Sequence, residues 1–338
     1  MKRIAIHHRE GSFSEGWIQY CNKNGIDYKI VNAYANDIIK QIDDCDIFLW
    51  HHSNYDYRDA LFAKQLLYSI KNKGLKVFPD FYTNWHFDDK VAQKYLLESI
   101  NAPLVPSYVF YTKKEAMAWV RSIKLPIVFK LRGGSGSSNV KLVKTKKEAF
   151  NLINQAFGSG FSQFDRWNHL KFRLSNYKAG TESISAIPKG LIRSVIGSSY
   201  SDMCSKEKGY IYFQKFIPNN NYDTRVVVIN GEVIAAERRF VREGDFRASG
   251  SGQYSYEDIN LSILEIALSV AKRLSLQSVA FDFILDEDQK PLIVEISYGF
   301  GIGGISGVPG YWDKNLNWYN DKFRPEYWII ENLIQEAT

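Results

Sequence analysis

The stretch Val279-Ala-Phe-Asp-Phe-Ile-Leu-Asp-Glu-Asp-Gln-Lys-Pro-Leu-Ile-Val-Glu-Ile-Ser297 leaves the chain little choice of local fold. Two apolar runs, 279–285 and 292–296, flank a polar loop ending in Pro291, which is the pattern of a β-hairpin. Side chains alternate faces along a strand, so Phe281, Phe283 and Leu285 share one face while Asp282 joins Ile284 on the other. On the return strand Leu292, Val294 and Ile296 share a face, leaving Glu295 and Ser297 opposite. With Leu285 paired to Leu292, Asp282 stands directly across from Glu295. Two acids in that position repel one another. A bound divalent cation removes the penalty, and hard oxygen donors suit Mg²⁺, which keeps several waters and shares its shell with phosphates. A solvated hairpin with two exposed acids accounts for the same residues.

The chain before this hairpin falls into units. Residues 1–100 alternate strand patterns (4–6, 28–31, 47–50, 76–78) with helix patterns (14–24, 57–72, 88–99), which predicts a small parallel α/β sheet. Pro103 and Pro106 mark a boundary, since proline disfavours helix at itself and before itself. A second unit has strands at 108–111, 127–131 and 140–143 and helices at 113–121 and 146–156. From Gly158 to Lys208 the pattern gives way to basic and aromatic residues with several glycines, read as an insertion of helices and loops. Strands at 210–216, 224–229 and 233–240 and a helix at 259–274 follow. Asn230-Gly231 between two of them is the strongest short-range hairpin signal. The expected domains are residues 1–104, residues 105–208 carrying the insertion 158–208, and residues 209–338 ending in an aromatic tail. The class is α/β with α+β.

Three features point to an anionic ligand. Phe129-Lys-Leu-Arg-Gly-Gly-Ser-Gly-Ser-Ser-Asn-Val140 joins two strands by a loop whose glycines let backbone N–H groups approach an anion. It is neither a Walker A sequence nor GxGxxG, and a plain turn would read the same way. Lys130, ending an apolar strand beside that loop, is placed for a phosphate or for snorkelling to water. Arg225, Arg239 and Arg247 recur at strand ends, away from any acid cluster large enough to neutralise them. Convergent arginines suit a transferring phosphoryl group or a carboxylate, and a solvated cationic face is the plainer alternative.

Taken in this order, the elements from about Lys90 to Ser306 resemble the ATP-grasp superfamily, nearest its RimK-like branch of carboxylate–amine ligases. The resemblance implies an ATP-grasp fold behind a small α/β domain. It implies ATP held by Lys90, Lys130 and the loop residues Gly133, Gly134, Ser135 and Gly136. The adenine-binding strand end matches Gln214, Lys215, Phe216 and Ile217, and the ribose acid matches Asp223. One or two Mg²⁺ or Mn²⁺ ions fall to Asp282, Glu295 and Ser297, catalytic arginines to Arg225, Arg239 and Arg247, and a substrate contact to Ser249. This chain has Lys215 where the family commonly has an acid, and Ser249 and Ser297 where it commonly has asparagine. A hydroxyl is a weaker metal ligand than an amide carbonyl, and a water can replace it. The implied reaction converts a carboxylate to an acyl phosphate with ATP and forms an amide with an amine. Nothing in the chain resembles a nucleophilic serine or cysteine with a partnered base.

The insertion and tail resemble those of ATP-grasp proteins associated with bacterial surface-polysaccharide synthesis. That resemblance implies an amino compound joined to a sugar acid or an amino acid. Arg166, Trp167, Lys171, Arg173 and Lys178 would form a platform for an anionic acceptor. Trp312, Trp318 and Trp328 are expected to pack the tail onto the body. In open parallel sheets ligands gather at the carboxyl ends of strands. His7 and His8 follow the first strand and His51 and His52 the third, so His8 or His52, with Arg9, is expected to bind the substrate carboxylate or orient the amine.

A net charge of +6 without a Lys/Arg block suits an anionic small molecule as well as a nucleic acid. No RNA-binding signature is present, so no nucleic-acid partner is expected. Cys21, Cys45 and Cys204 lack any metal or redox spacing, the N-terminal apolar run is too short for a signal peptide, and no segment approaches a membrane span. A cytoplasmic protein acting on small molecules is expected, with its oligomeric state open. A catalytically silent nucleotide-binding regulator and a basic glycan- or RNA-binding protein are the other classes considered. Retention of both Asp282 and Glu295 favours an enzyme.

Overall fold

The computed structural model describes residues 2–134, 139–162, 205–242, 244–248 and 252–337. Its first unit is a parallel four-stranded sheet built from β1 (Ile4–His7), β2 (Tyr28–Val31), β3 (Ile47–Leu49) and β4 (Lys76–Phe78), in the order β2-β1-β3-β4. Helices α1 (Phe13–Asn24), α2 (Ile38–Gln41) and α3 (Tyr57–Asn72) connect these strands, and the short α4 (Phe81–Asn84) follows β4. Each long helix starts where the sequence supplies a cap: Ser12 accepts from Ser14 N–H, and Asp56 from Arg58 N–H. The helix expected over 88–99 starts at Lys90 instead. Asp88 takes a positive φ of 54°, and Asp89 caps α5 (Lys90–Ser99) by accepting from Ala92 N–H.

The middle sheet is antiparallel, with β5 (Ser107–Phe110), β6 (Ile127–Lys130), β7 (Val140–Val143) and β8 (Ile211–Lys215) in the order β5-β8-β6-β7. Strand β8, read in the sequence with the third unit, thus inserts between β5 and β6. Helices α6 (Lys113–Ser122) and α7 (Lys146–Ala156) cover one face through a core that includes Val120, Phe129, Ile153 and Phe213. The insertion, with Arg166, Trp167, Lys171, Arg173 and Lys178, lies outside the described residues from position 163 to 204.

The third sheet orders β13 (Pro291–Ser297), β12 (Ser278–Leu285), β9 (Tyr222–Ile229), β10 (Val233–Phe240), β14 (Tyr311–Asp313) and β15 (Trp318–Tyr319), with β11 (Tyr254–Ser255) pairing β10. Asn230 and Gly231 both take positive φ, 50° and 65°, in the turn between β9 and β10. The period of two divides this sheet's chemistry. Val226, Val228, Phe281 and Phe283 face α8 (Leu261–Arg273) and α5. On the opposite face Val227, Ile229, Ala235 and Ala280 join the N-terminal sheet and α9 (Pro325–Ala337) in one core. Further along β9, that same face carries Arg225 and Asp223.

The β12–β13 hairpin differs from its expected register. Leu285 pairs with Pro291 and Ile284 with Leu292, while Asp282 still pairs with Glu295, because a bulge places one extra residue in the return strand. Ile293 and Ile296 therefore both face the core, and Leu292, Val294 and Ile296 do not form the single face expected of them. The tail forms β14, β15 and α9, where only aromatic packing was expected. Trp312 and Trp328 pack against the body as anticipated. Trp318 is 45% exposed and leans on Trp312 at 4.6 Å. No helix among the described residues is long and apolar enough to cross a membrane.

Candidate active site

A cleft of about 490 Å³ lies where the charged face of the third sheet meets β6 and β8 of the middle sheet. Lys90, Lys130, Gly134, Gln214, Lys215, Phe216, Ile217, Asp223, Arg225, Arg247, Asp282, Glu295 and Ser297 all line it. Residues from widely separated stretches of the expected site thus share one cavity.

The acids on its floor are not bare. Asp282 pairs in register with Arg225 across β12 and β9, and Asp223 with Arg239 across β9 and β10. Arg225 donates to both Asp282 oxygens, Nε to Oδ1 at 2.9 Å and Nη2 to Oδ2 at 3.1 Å. Arg239 grips Asp223 with two bonds of 2.6 Å, and its Nη2 also reaches Asp282 Oδ2 at 2.8 Å. This corrects the expectation that Arg225 and Arg239 stand away from neutralising acids: opposite charges directly across a ladder find one another. Burial alone would raise the Asp282 carboxyl, but Arg225 and Arg239 outweigh it and hold it well below the usual carboxylate range. Arg239 is buried and does not line the cleft, whereas Arg247 lines it while paired to Asp245 at 2.6 Å.

Glu295 is matched from the other side. Lys90 Nζ lies 3.3 Å from Glu295 Oε1 and donates to Gly134 O at 2.8 Å. Burial works against the Lys90 ammonium, yet Glu295 and Asp88 outweigh it and hold its pKa above the usual lysine value. The repulsion anticipated between Asp282 and Glu295 is thus relieved by arginines on one side and a lysine on the other. Lys130 is buried, with no ion pair within 4.0 Å among the described residues, and burial pulls its pKa down to about 8 against the opposing pull of Glu295.

The donor set formed by Asp282, Glu295 and Ser297 fits a hard divalent cation. Two carboxylates on paired strands and a hydroxyl open on one cleft wall, leaving most of the shell to water and phosphate. Among the described residues no group of three or more acidic, histidine or cysteine side chains gathers into a closed cage.

At the expected adenine end, Phe216 meets Phe246 edge-on at 5.9 Å. The Gln214 side chain turns inward to donate to Ser107 Oγ at 3.0 Å. Ser135, Gly136 and Ser249 lie outside the described residues. His8 is exposed, with its Nδ1 2.9 Å from Ser14 Oγ, and Arg9 donates to His51 O at 3.3 Å. Neither lines the cleft, nor does His52, which is 2% exposed, bonds Asn84 Oδ1 at 2.6 Å and packs against Phe87 and Tyr298. Burial pulls the His52 pKa down to about 3.

Two acids went unread in the sequence. Asp88 accepts from Gly134 N–H at 2.8 Å, so a carboxylate sits on the glycine loop. The signal available was a third charge beside Asp89-Lys90 at a helix start that needs only one cap. Glu237, 2% exposed on β10, faces Arg225 in register, and burial pushes its pKa up to about 7. Its alternation with Arg239 inside an apolar strand was the available signal.

Comparison with known proteins agrees with this geometry. Residues 176–310 match the family model of the RimK-like ATP-grasp domain, and residues 89–171 match that of the carbamoyl-phosphate synthase L chain, ATP binding domain. A ribosomal protein bS6–L-glutamate ligase of Escherichia coli O139:H28 is 32% identical over 123 residues, 35% of this chain and 41% of that protein. A probable alpha-L-glutamate ligase of Enterobacter sp. (strain 638) is 30% identical over 125 residues, 36% of this chain and 41% of that protein. The chain thus spans about two fifths of the length of these curated relatives. Among solved structures, a RimK domain ATP-grasp protein from Sphaerobacter thermophilus superposes with a TM-score of 0.61 at 16% identity, over 97% of this chain and 98% of that one. The D-alanine–D-alanine ligase from Bacillus anthracis complexed with ATP gives 0.60 at 13% identity, over 99% and 98%. Fold, cleft and sequence matches agree: the chain has the ATP-grasp fold of these structures, and residues 176–310 within it match the RimK-like ATP-grasp domain.

Proposed function

We propose that this chain is an ATP-dependent carboxylate–amine ligase. The observation that carries the reading is the shared cleft, where buried cations on one wall face paired acids on the other. A carboxylate resists an amine because oxide is not a viable leaving group. In the proposed reaction a substrate carboxylate oxygen attacks the γ-phosphorus of ATP, ADP departs, and an acyl phosphate forms. The amine nitrogen then attacks the acyl carbon, the C–O bond to phosphate breaks, and the nitrogen gives up a proton.

Lys90 and Lys130, with the loop from Gly133 to Gly136, would offset the triphosphate charge, and the strand end from Gln214 to Ile217 would take the adenine. Asp223, drawn to Arg239, would meet the ribose. Asp282, Glu295 and Ser297 would hold Mg²⁺ or Mn²⁺, which when bound supplies charge neutralisation at the transferring phosphoryl group. Arg225 and Arg239 would orient the acids, and Arg247, the most exposed of the three arginines at 30%, would meet the transferring group. His8 and Arg9 stand at the N-terminal sheet edge as proposed contacts for the organic carboxylate, and Ser249 completes that set. His52, enclosed by aromatic rings, supports that edge from behind.

The curated relatives are named as glutamate ligases, which favours an amino acid as one substrate. The resemblance of insertion and tail extends the proposal to a sugar acid of surface-glycan synthesis. The test incubates the protein with ATP, Mg²⁺ and pools of amino acids, uronic acids and amines, and follows ADP and phosphate. Release that requires both a carboxylate and an amine, and that Glu295→Gln abolishes, is the expected result. Release that needs neither would sink the ligase reading, and absence of any nucleotide binding would sink the site.

A further inference from the structure

For Asp282 to ligate a cation it must loosen a carboxylate that two guanidiniums hold by three bonds of 2.8 to 3.1 Å. The two arginines differ in what remains to them. Arg239 keeps Asp223 through its two 2.6 Å bonds. Arg225 has no acidic partner other than Asp282 among the described residues. Leaving a guanidinium unpaired in a buried cluster, beside an arriving dication, is costly.

Directly across the ladder from Arg225, on the side away from Asp282, stands Glu237. Three neighbouring strands thus carry Glu237, Arg225 and Asp282 in one row on one face. Glu237 is 2% exposed, and its Oε2 is a buried carboxylate oxygen without a hydrogen-bond partner among the described residues. Gly304 covers it so closely that a Cβ there would collide with that oxygen and with Tyr254. Water is therefore kept from this idle acceptor. A buried orphan acceptor costs about 1–3 kcal/mol, so it calls for an explanation.

We propose that Glu237 is a positioning residue that takes over the Arg225 guanidinium when Asp282 turns to the metal. The inference rests on the ligase reading of the same cleft. The charge balance supports it. With Asp282 engaged by its arginines, Arg225 and Arg239 are already balanced by Asp223 and Asp282, and a Glu237 pushed up to about 7 by burial adds no charge in its protonated form. Once a cation claims Asp282, the two arginines face Asp223 alone, and an ionised Glu237 restores neutrality. The groups around Glu237 are Arg225 and Asp223 from β9, Arg239 from its own strand, Asp282 from β12, Tyr254 from β11 and Tyr256, whose hydroxyl donates to Gly304 O at 3.0 Å.

The test measures Mn²⁺ affinity by electron paramagnetic resonance on the full chain, with a saturating non-hydrolysable ATP analogue. Glu237→Gln should weaken Mn²⁺ binding about tenfold, the scale of one lost charge-assisted bond. In an Arg225→Gln background the same substitution should change nothing further, because no guanidinium is left to receive. Wild-type affinity in Glu237→Gln would overturn the proposal. So would an equal loss in both backgrounds, which would mean plain attraction between a carboxylate and the ion. Should Glu237→Gln fail to fold, Glu237→Asp keeps the charge but falls a methylene short, and wild-type affinity there would likewise overturn it. If Asp282→Asn binds Mn²⁺ as tightly as the wild type, the metal assignment falls first and the proposal with it.

Discussion

Replacing Lys130 by methionine should make the nucleotide-free protein more stable while making it a worse nucleotide binder. Lys130 is 5% exposed, and burial pulls its pKa to about 8, with Glu295 only partly opposing. A lysine in an unfolded chain titrates near 10.4, so the gap of about 2.4 units corresponds to roughly 3 kcal/mol. The sign is that of a depressed base. Between about pH 8 and 10.4 the unfolded chain holds a proton that the folded one has lost, so stability rises with pH across that window. Below pH 8 the folded protein carries the whole cost of a buried charge. Methionine keeps the stem and removes the charge, so at pH 7 a gain of about 1–3 kcal/mol is expected once the lost attraction to Glu295 is discounted. With an unfolding entropy of about 2.1 cal/mol/K per residue, that corresponds to a rise in Tm of about 1–4 °C. A charged contact to phosphate contributes about 1.5–3 kcal/mol, so affinity for an ATP analogue should fall roughly 10- to 150-fold. Differential scanning fluorimetry without nucleotide and calorimetric titration with the analogue, both at pH 7 and 9.5, give the two numbers. The wild type should lose affinity at pH 9.5 and the variant should not. A variant no more stable than the wild type that binds the analogue equally well would refute the reasoning.

Other perturbations follow from the same geometry. Arg239→Met strands Asp223 and Asp282 without their buried partner and should cost about 3–5 kcal/mol in chemical denaturation, far more than an exposed arginine would. Asp88→Asn keeps an acceptor for Gly134 N–H but removes a negative charge from the loop; calorimetry should find nucleotide affinity raised roughly fivefold, about 1 kcal/mol. His52→Ala empties a site enclosed by Phe87, Tyr298 and Trp50 and should lower stability by about 2–4 kcal/mol. Because burial holds the His52 pKa near 3, the unfolded chain takes up a proton as pH falls below about 6.5 and the folded one does not. Wild-type stability should therefore decline with acid over that range, and His52→Ala should decline less steeply by about one proton.

The strands and their faces were legible because alternation and turn residues act locally. Tyr28–Val31, Lys76–Phe78, Val140–Val143 and Val233–Phe240 fall where the pattern places them. Which sheet a strand joins is a non-local matter, so Ile211–Lys215 gave no hint that it would enter the middle sheet. The pairing of Asp282 with Glu295 was legible, but the bulge beside it was not, since the extra residue, Val294, is as apolar as Ile293 next to it. Arg225 and Arg239 were visible as cations. That each lies opposite an acid depends on β9 standing between β10 and β12, which the spacing of residues does not specify. The C-terminal helix was hidden by the aromatic stretch before it, whose density of tryptophan and tyrosine drew attention to packing alone.

The docking of α9 bears on how this protein is made. Ile4, Ile6, Phe13 and Trp17 share a core with Phe323, Ile329, Ile330 and Leu333, far later in the chain. The opposite side of the same sheet closes on α2 and α3, through Ile38, Ala63, Leu67 and Ile70. During synthesis the first sheet is therefore finished on one side, and on the other covered by α1 but not by α9, for some 250 residues of elongation, roughly 12–50 s at ordinary rates. A nascent chain in that condition offers a contiguous apolar surface, the kind that trigger-factor-like holdases recognise and that aggregates when crowded. Closure of that side is completed when α9 folds back onto α1, β3 and β4.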